Sequence, residues 1–268
     1  MFIIQTFKLN LVILHQSKYN NKMTIHPYLN QSGVSISAHR GGSEEAPENT
    51  LESFKYALDL GSSYIETDVQ LSADGIPYIF HDDDLIRLLG MDVTFNSLHS
   101  NEIDQLKLFE SYQIPKLETA LTQFPNALFQ IDLKTDEVAL PAMRVIKNLN
   151  AFNRICIASF SSNRLEKVRN DFPETCLSMG PKEILKLLLA SFGLYNQKVP
   201  GDCLQVPIYH YGIKLVTKRF VNYVQSIGLK IHVWTINDEN TMRELIDLGV
   251  DGIITDRPKV LNEILSKN

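Results

Sequence analysis

Cysteine is scarce: Cys156, Cys176 and Cys203 are the three in 268 residues. Their number is odd, no C-x-x-C spacing occurs, and each lies in a short apolar run that reads as a strand. Neither a disulfide framework nor a cysteine zinc site is indicated, and three small core residues in a reducing compartment fit instead. Charge of one sign is scarce as well. Lys and Arg total 26 against 31 Asp and Glu, a net charge of −5, and no basic stripe occurs, so nucleic acid is not an expected partner. Long hydrophobic runs are absent. Phe2-Ile3-Ile4 and Leu9 to Leu14 are broken by Lys8, are too short to span a bilayer, and precede no small-residue cleavage site. Gln16 to Met23 is polar and reads as linker, with Met23 an alternative start. Residues 1–30 are therefore expected to form a poorly ordered extension, residues 31–268 a single domain, and the chain a cytoplasmic protein.

What the sequence does have is a core and a rhythm. Hydrophobic residues make up 44% and charged residues 21%, enough to bury a globular interior. From residue 34 the chain cycles through apolar run, capping residue, amphipathic stretch and turn. Eight runs read as strands: Val34 to Ala38, Tyr64 to Val69, Leu128 to Leu133, Ile155 to Ser159, Cys176 to Met179, Cys203 to Val206, Lys230 to Thr235 and Gly252 to Thr255. Between them helices start at Asn49 (with Glu52 three residues on), Ser161 or Ser162, Pro181, Thr217 and Asp238, and Gly61, Gly228 and Gly249 close three of them. Apolar strands alternating with helices imply a parallel sheet covered by helices. Eight such units over about 250 residues predict a closed (β/α)8 TIM barrel in preference to an open doubly wound sheet.

One segment departs from the rhythm. After Val69 comes Asp74-Gly75 and a second alternating run, Ile76 to Phe80, in place of a helix. Asp-Gly between alternating runs signals a hairpin, and a two-residue turn there sets Asp68 opposite His81 and Glu66 opposite Asp83. Asp84 to Gln113 then reads as a short insertion before a helix near Leu117 to Phe124.

In such barrels the chemistry collects at the C-terminal strand ends. Those ends carry His39-Arg40, Glu66 and Asp68, Asp132 and Lys134, Ser159, Trp234-Thr235 and Thr255-Asp256. Glu66 and Asp68 are two apart on a strand and share its inner face with Tyr64, while Ile65, Thr67 and Val69 face the helices. Asp132 points inward by the same alternation. Three carboxylates inside a barrel have no packing rationale and make a hard oxygen site suited to one divalent cation, Mg2+ or Ca2+. The bland alternative is a salt-bridge cluster with Arg40 and Lys134. His39 and His81 converge on the site from two sides, the arrangement a general acid and base require. Arg40 and Lys134 can neutralise a phosphoryl group, and Trp234 serves either as core or as substrate platform. The other five histidines read as surface or core, and Asn49 as a helix cap with Glu48 beside it in reach of the site. Ser159 lacks a G-x-S-x-G context, which leaves a serine hydrolase unsupported.

Ala38-His39-Arg40-Gly41, Ala46-Pro47-Glu48-Asn49-Thr50, Glu66-Thr67-Asp68-Val69, Asp74-Gly75 and Phe80-His81-Asp82 resemble, in order and spacing, the glycerophosphodiester phosphodiesterases. His232 to Asn237 and Gly249 to Pro258 resemble the same family, so the likeness runs over residues 34–264. It implies a TIM barrel that cleaves glycerophosphodiesters to glycerol 3-phosphate and an alcohol. It also implies metal ligation by Glu66, Asp68 and Asp132, acid–base roles for His39 and His81, and phosphate contacts from Arg40 and Lys134. The family usually has Glu where this chain has Asp132. The short insertion is like that of compact bacterial members. Lysophospholipase D or phosphatidylinositol-type phospholipase activity, and a non-catalytic phosphodiester-binding barrel, are the alternatives.

Overall fold

The computed structural model describes residues 25–267. Eight parallel strands alternate with eight helices. The strands are β1 (Ser35–His39), β2 (Tyr64–Leu71), β3 (Leu128–Leu133), β4 (Ile155–Ala158), β5 (Cys176–Leu177), β6 (Cys203–Pro207), β7 (Lys230–Trp234) and β8 (Gly252–Thr255). The helices are α1 (Leu51–Asp59), α2 (Leu117–Gln123), α3 (Asp136–Asn148), α4 (Ser162–Asp171), α5 (Pro181–Ser191), α6 (Lys218–Ser226), α7 (Glu239–Leu248) and α8 (Pro258–Leu265). The sheet runs β5-β4-β3-β2-β1-β8-β7-β6. Its two ends meet through a single bridge, Ser178 to Cys203, where Met179 N donates to Cys203 O at 2.9 Å and Asp202 N to Leu177 O at 2.9 Å. The expected TIM barrel is present.

Alternation along the strands decides what lies where. Ile65 and Val69 pack outward with Phe54, Leu117, Leu133 and Leu165 in one layer between sheet and helices, and Leu204, Val206, Ile231 and Val233 anchor a second layer on the other half. The inward residues stack from an apolar base to a polar rim. At the base Tyr64, Cys156, Cys176 and Cys203 surround Tyr28, which is fully buried. The three cysteines are free thiols whose Sγ atoms lie mutually within 4.8 Å, although no spacing along the chain foreshadows their meeting. Of the expected extension, residues 1–24 lie outside the described residues, and the turn Pro27–Leu29 inserts Tyr28 against Tyr64 with ring centroids 4.7 Å apart. Among the described residues no helix is long and apolar enough to cross a membrane.

Two local expectations are corrected. The hairpin forms, but Val69 pairs with Ile79 and Gln70 with Tyr78, so Asp68 lies opposite Phe80 and not His81. The loop holds three residues, Ala73-Asp74-Gly75: Gly75 N donates to Ser72 O at 3.0 Å and Gly75 alone takes positive φ, +84°. A two-residue turn of the primed type would need positive φ at Asp74 too, whereas one left-handed Gly suffices after a type I turn. The second correction is at α1. Its N-cap is Thr50, not Asn49, with reciprocal bonds between Thr50 and Ser53. Asn49 has φ +56°, a left-handed conformation Asn tolerates, and its side chain turns to the barrel rim.

The insertion after His81 folds on its own small core, in which Phe80 stacks on Phe95 at 4.7 Å beside Leu85, Ile103 and Leu108. It thereby fixes the one-turn helix Ile86–Leu89, which carries Arg87, over the rim.

Tyr28 Oη is buried with no hydrogen-bond partner. Tyr28→Phe is therefore expected to keep or raise stability, whereas Tyr28→Ala should cost ~3–5 kcal/mol through the cavity it leaves. Urea unfolding of the two variants checks this; equal losses in both would show that the ring does not plug the barrel.

Candidate active site

Strand register brings the polar residues together. His39 on β1 neighbours Glu66 on β2, and Asp68 on β2 neighbours Asp132 on β3. Glu66, Asp68 and Asp132 are all buried at the rim of a cavity of about 680 Å3, which His39, Arg40, His81, Lys134 and Trp234 also line. All eight residues expected at the site from sequence thus share one cavity.

Each carboxylate is held differently. Asp68 accepts from Lys134 Nζ at 2.7 Å and Asn49 Nδ2 at 3.2 Å, and Arg40 Nε lies 3.5 Å away. Burial opposes its charge, but Lys134, His81 and Arg40 together hold its carboxyl below the usual range. Glu66 accepts from the Arg40 backbone N–H at 3.1 Å, a contact made by the left-handed turn at Arg40, φ +52°. Burial and the neighbouring Asp68 charge push its carboxyl up to about 7. Asp132 accepts from Lys134 Nζ at 2.8 Å through Oδ2, while its buried Oδ1 has no partner. Burial raises its carboxyl as well.

Both histidines are oriented by a carboxylate. His39 Nδ1 lies 2.6 Å from Asp256 Oδ1, leaving Nε2 toward Glu66 at 3.8 Å. Burial alone would push the His39 ring down, but Glu66 and Asp256 hold it above its ordinary value. Asp256 is itself fixed by Ser43 and by Asn237 Nδ2 at 2.7 Å; despite burial, these bonds and His39 bring its carboxyl down to about 2. His81 Nδ1 lies 2.6 Å from Asp82 Oδ1. Asp82 is gripped by Arg87 Nε at 2.6 Å, Arg87 forks onto Glu48 at 2.7 and 2.9 Å, and Glu48 accepts from Arg40 at 3.1 Å. Gln70 Nε2 donates to Asp82 O and Asp83 Oδ1, both at 3.1 Å, tying the hairpin arm to β2. Arg40 and His81 are therefore linked through one chain of ion pairs.

Sequence reasoning missed several of these supports. Asp256 was visible at a strand end but unassigned, because its partner His39 lies 217 residues away. Asn49 was explained as a cap, yet it bridges Thr67 Oγ1, at 2.8 Å, and Asp68. Arg87 lay in an insertion without periodicity. The far wall of the cavity was also not legible: Met179, Ile184, Leu188 and Leu215 make it apolar, and Trp234 meets Phe160 edge to face at 5.8 Å.

The donor set fits a hard divalent cation in kind. An orphaned Asp132 oxygen and a Glu66 carboxyl pushed toward neutrality both mark a shortage of positive charge. Glu66, Asp68 and Asp132 are not drawn to the mutual ligand spacing that the three thiols reach, and Lys134 bridges Asp68 and Asp132.

Residues 39–260 match the model of the Glycerophosphoryl diester phosphodiesterase family. A probable glycerophosphodiester phosphodiesterase 2 of Mycobacterium tuberculosis is 32% identical over 245 residues, covering 89% of this chain and 93% of that protein. A glycerophosphodiester phosphodiesterase of Caldanaerobacter subterraneus is 29% identical over 249 residues, 87% and 98% of the two chains. Among solved structures, a glycerophosphodiester phosphodiesterase from Agrobacterium tumefaciens superposes with a TM-score of 0.71 at 26% identity, covering 87% of this chain and 99% of that one. An Oleispira antarctica phosphodiesterase in complex with the product sn-glycerol-3-phosphate has the same fold, with a TM-score of 0.72 at 24% identity over 87% and 96% of the chains. The matched segment holds the two carboxylate-oriented histidines and the three rim carboxylates, and the chain belongs to the glycerophosphoryl diester phosphodiesterase family of phosphoric diester hydrolases.

Proposed function

We propose that the chain hydrolyses glycerophosphodiesters to glycerol 3-phosphate and a free alcohol, with His39 and His81 as the acid–base pair. The observation that carries this reading is the pairing of each histidine with a carboxylate at Nδ1, Asp256 and Asp82, beside three buried carboxylates. A ring donating from Nδ1 presents Nε2 to the cavity as its proton-transferring atom. One histidine takes the proton of the attacking oxygen, from water or from the adjacent glycerol hydroxyl. The bond from phosphorus to the alcohol oxygen breaks as the bond to the attacking oxygen forms, and the other histidine supplies the departing oxygen with its proton. Where the glycerol hydroxyl attacks, the product is a cyclic phosphate, which water then opens to glycerol 3-phosphate with the two histidines exchanging roles. Arg40 and Lys134 stand where the phosphoryl oxygens gain charge. Glu66, Asp68 and Asp132 would hold one divalent cation, Mg2+ or Ca2+, which supplies Lewis-acid stabilisation of that charge. Ligation would also relieve the crowding that raises Glu66.

A second reading, lysophospholipase D activity, is favoured by the apolar far wall. Met179, Ile184, Leu188 and Leu215 are on the cavity side opposite the carboxylates and suit an acyl chain better than a second polar head. Rodent and human relatives called lysophospholipase D are 23–24% identical to this chain.

With glycerophosphocholine the expected products are choline and glycerol 3-phosphate; phosphocholine and glycerol would contradict the bond assignment. Exhaustive chelation, and separately Asp68→Asn, should abolish turnover, and full activity in chelator would remove the cation from the reading. His39→Ala or His81→Ala should lower kcat ~10²–10⁴-fold with smaller change in KM; a near-normal rate excludes that residue.

The Asp256 carboxyl gives a pH prediction. Its folded value lies below its unfolded one, so its stabilisation is present above about pH 4 and is lost as pH falls toward 2. Allowing for solvent screening, Asp256→Asn should cost about 1 kcal/mol at pH 5 and nothing near pH 2. A pH-independent loss in urea titrations would show that packing, not charge, is what the variant removes.

A further inference from the structure

Apolar side chains left in water are concentrated on α5, the segment that follows it and the small hairpin after β6. Of fifteen large hydrophobics exposed among the described residues, eight are Phe160 or lie within residues 185–213. Tyr211, at the tip of the small hairpin Tyr209–Lys214, is 93% exposed; Leu194 is 73% and Phe160 68% exposed. Phe160, Leu185, Tyr211 and Ile213 border the same cavity as the histidines, and Leu185, Leu189 and Phe192, spaced i, i+4 and i+7, continue an exposed apolar stripe along α5 from there. Scattered exposed hydrophobics need no explanation, but a contiguous set rimming a cavity does.

The charge of the segment that carries the patch is predominantly positive. Residues 181–219 contain Lys182, Lys186, Lys198, Lys214, Lys218 and Arg219, against Glu183, which is buried, and Asp202. This excess of four positive charges sits in a chain whose net charge is −5. Two of the cations lie over aromatic faces of the patch: Lys214 Nζ is 6.0 Å from the Tyr209 ring and Arg219 is 4.9 Å from the Phe192 ring. Exposed Tyr, Phe and Leu among Lys and Arg is the composition of a surface that settles at a headgroup boundary, where aromatic rings straddle apolar and wet layers and cations meet anionic lipid.

We propose that the α5 face and the 209–214 hairpin form a docking surface for an anionic lipid bilayer, which places the cavity mouth at the membrane. The surface goes beyond the hydrolytic reading and does not depend on which diester is cleaved. It also differs from a second copy of this chain as occupant, because two like basic rims would repel when apposed.

Cosedimentation of the full chain with vesicles tests this. Equimolar phosphatidylcholine and phosphatidylglycerol vesicles should bind the chain at least ten-fold more strongly than pure phosphatidylcholine vesicles, with binding falling as salt rises. The double variant Tyr209→Ser, Leu194→Ser, at two exposed positions outside the cavity lining, and, separately, Lys214→Glu should each lose at least ten-fold in vesicle binding while turning over soluble glycerophosphocholine at the parent rate. No sedimentation with either vesicle overturns the proposal, as does unchanged binding in both variants. A lipid-free dimer in sedimentation velocity that the double variant dissolves would assign the face to a second copy instead. Vesicle binding retained without any diester turnover would defeat the hydrolytic reading and leave the docking surface standing.

Discussion

The constraint on which the rest of the rim depends is the burial of three carboxylates at the ends of β2 and β3. Charge withdrawn from water must be met by charge or by donors, and at this rim nearly every polar contact answers that need. Lys134 bridges Asp68 and Asp132, Arg40 reaches Glu66 through its backbone and Asp68 through its side chain, and Asn49 abandons the cap of α1 to donate to Asp68. The compensation is incomplete, as the orphaned Asp132 oxygen and the raised Glu66 carboxyl register. A fully satisfied salt-bridge cluster would have neither. The incompleteness is what the proposed reading draws on, since a cluster matched in advance would gain nothing from a cationic ligand.

The support of the two histidines follows a common plan with different means. His39 is held by Asp256 from the neighbouring strand end, and Asp256 in turn by Ser43 and Asn237. His81 comes from outside the barrel and has no such neighbour. It is oriented by the adjacent Asp82, which Arg87 clamps from the insertion and Gln70 anchors from β2. The insertion with its own aromatic core is thus part of the support of His81: it supplies Arg87, which holds the carboxylate that orients a side chain arriving on a hairpin arm.

What the sequence made legible is what alternation and punctuation encode. Period-two patterning located Glu66, Asp68 and Asp132 on the inner face, and capping residues and glycines delimited most helices close to their observed ends. The hairpin was legible but its register was not, because Asp-Gly also terminates a three-residue loop, and one extra residue shifts every pair. Asn49 misled because its residue type satisfies two roles and only tertiary contact chooses between them. Asp256, Arg87, the apolar wall and the thiol cluster were hidden for another reason. Each depends on residues from distant segments meeting in space, and no local spacing records such a meeting.

The sheet also divides labour along its circumference. The histidine, carboxylates and cations of the rim come from β1, β2, β3, β8 and the hairpin arm, joined by long registers such as the six paired positions of β2 and β3. The apolar wall comes from the β5 and β6 side, where the barrel closes through one bridge between the two-residue β5 and the five-residue β6. Among the described residues, those near that seam make no hydrogen bond or ion pair to Glu66, Asp68, Asp132 or the two histidines. Under the proposed hydrolytic reading, residues 178–215 would meet the alcohol group of the diester, and a designer seeking a new head group would graft there first.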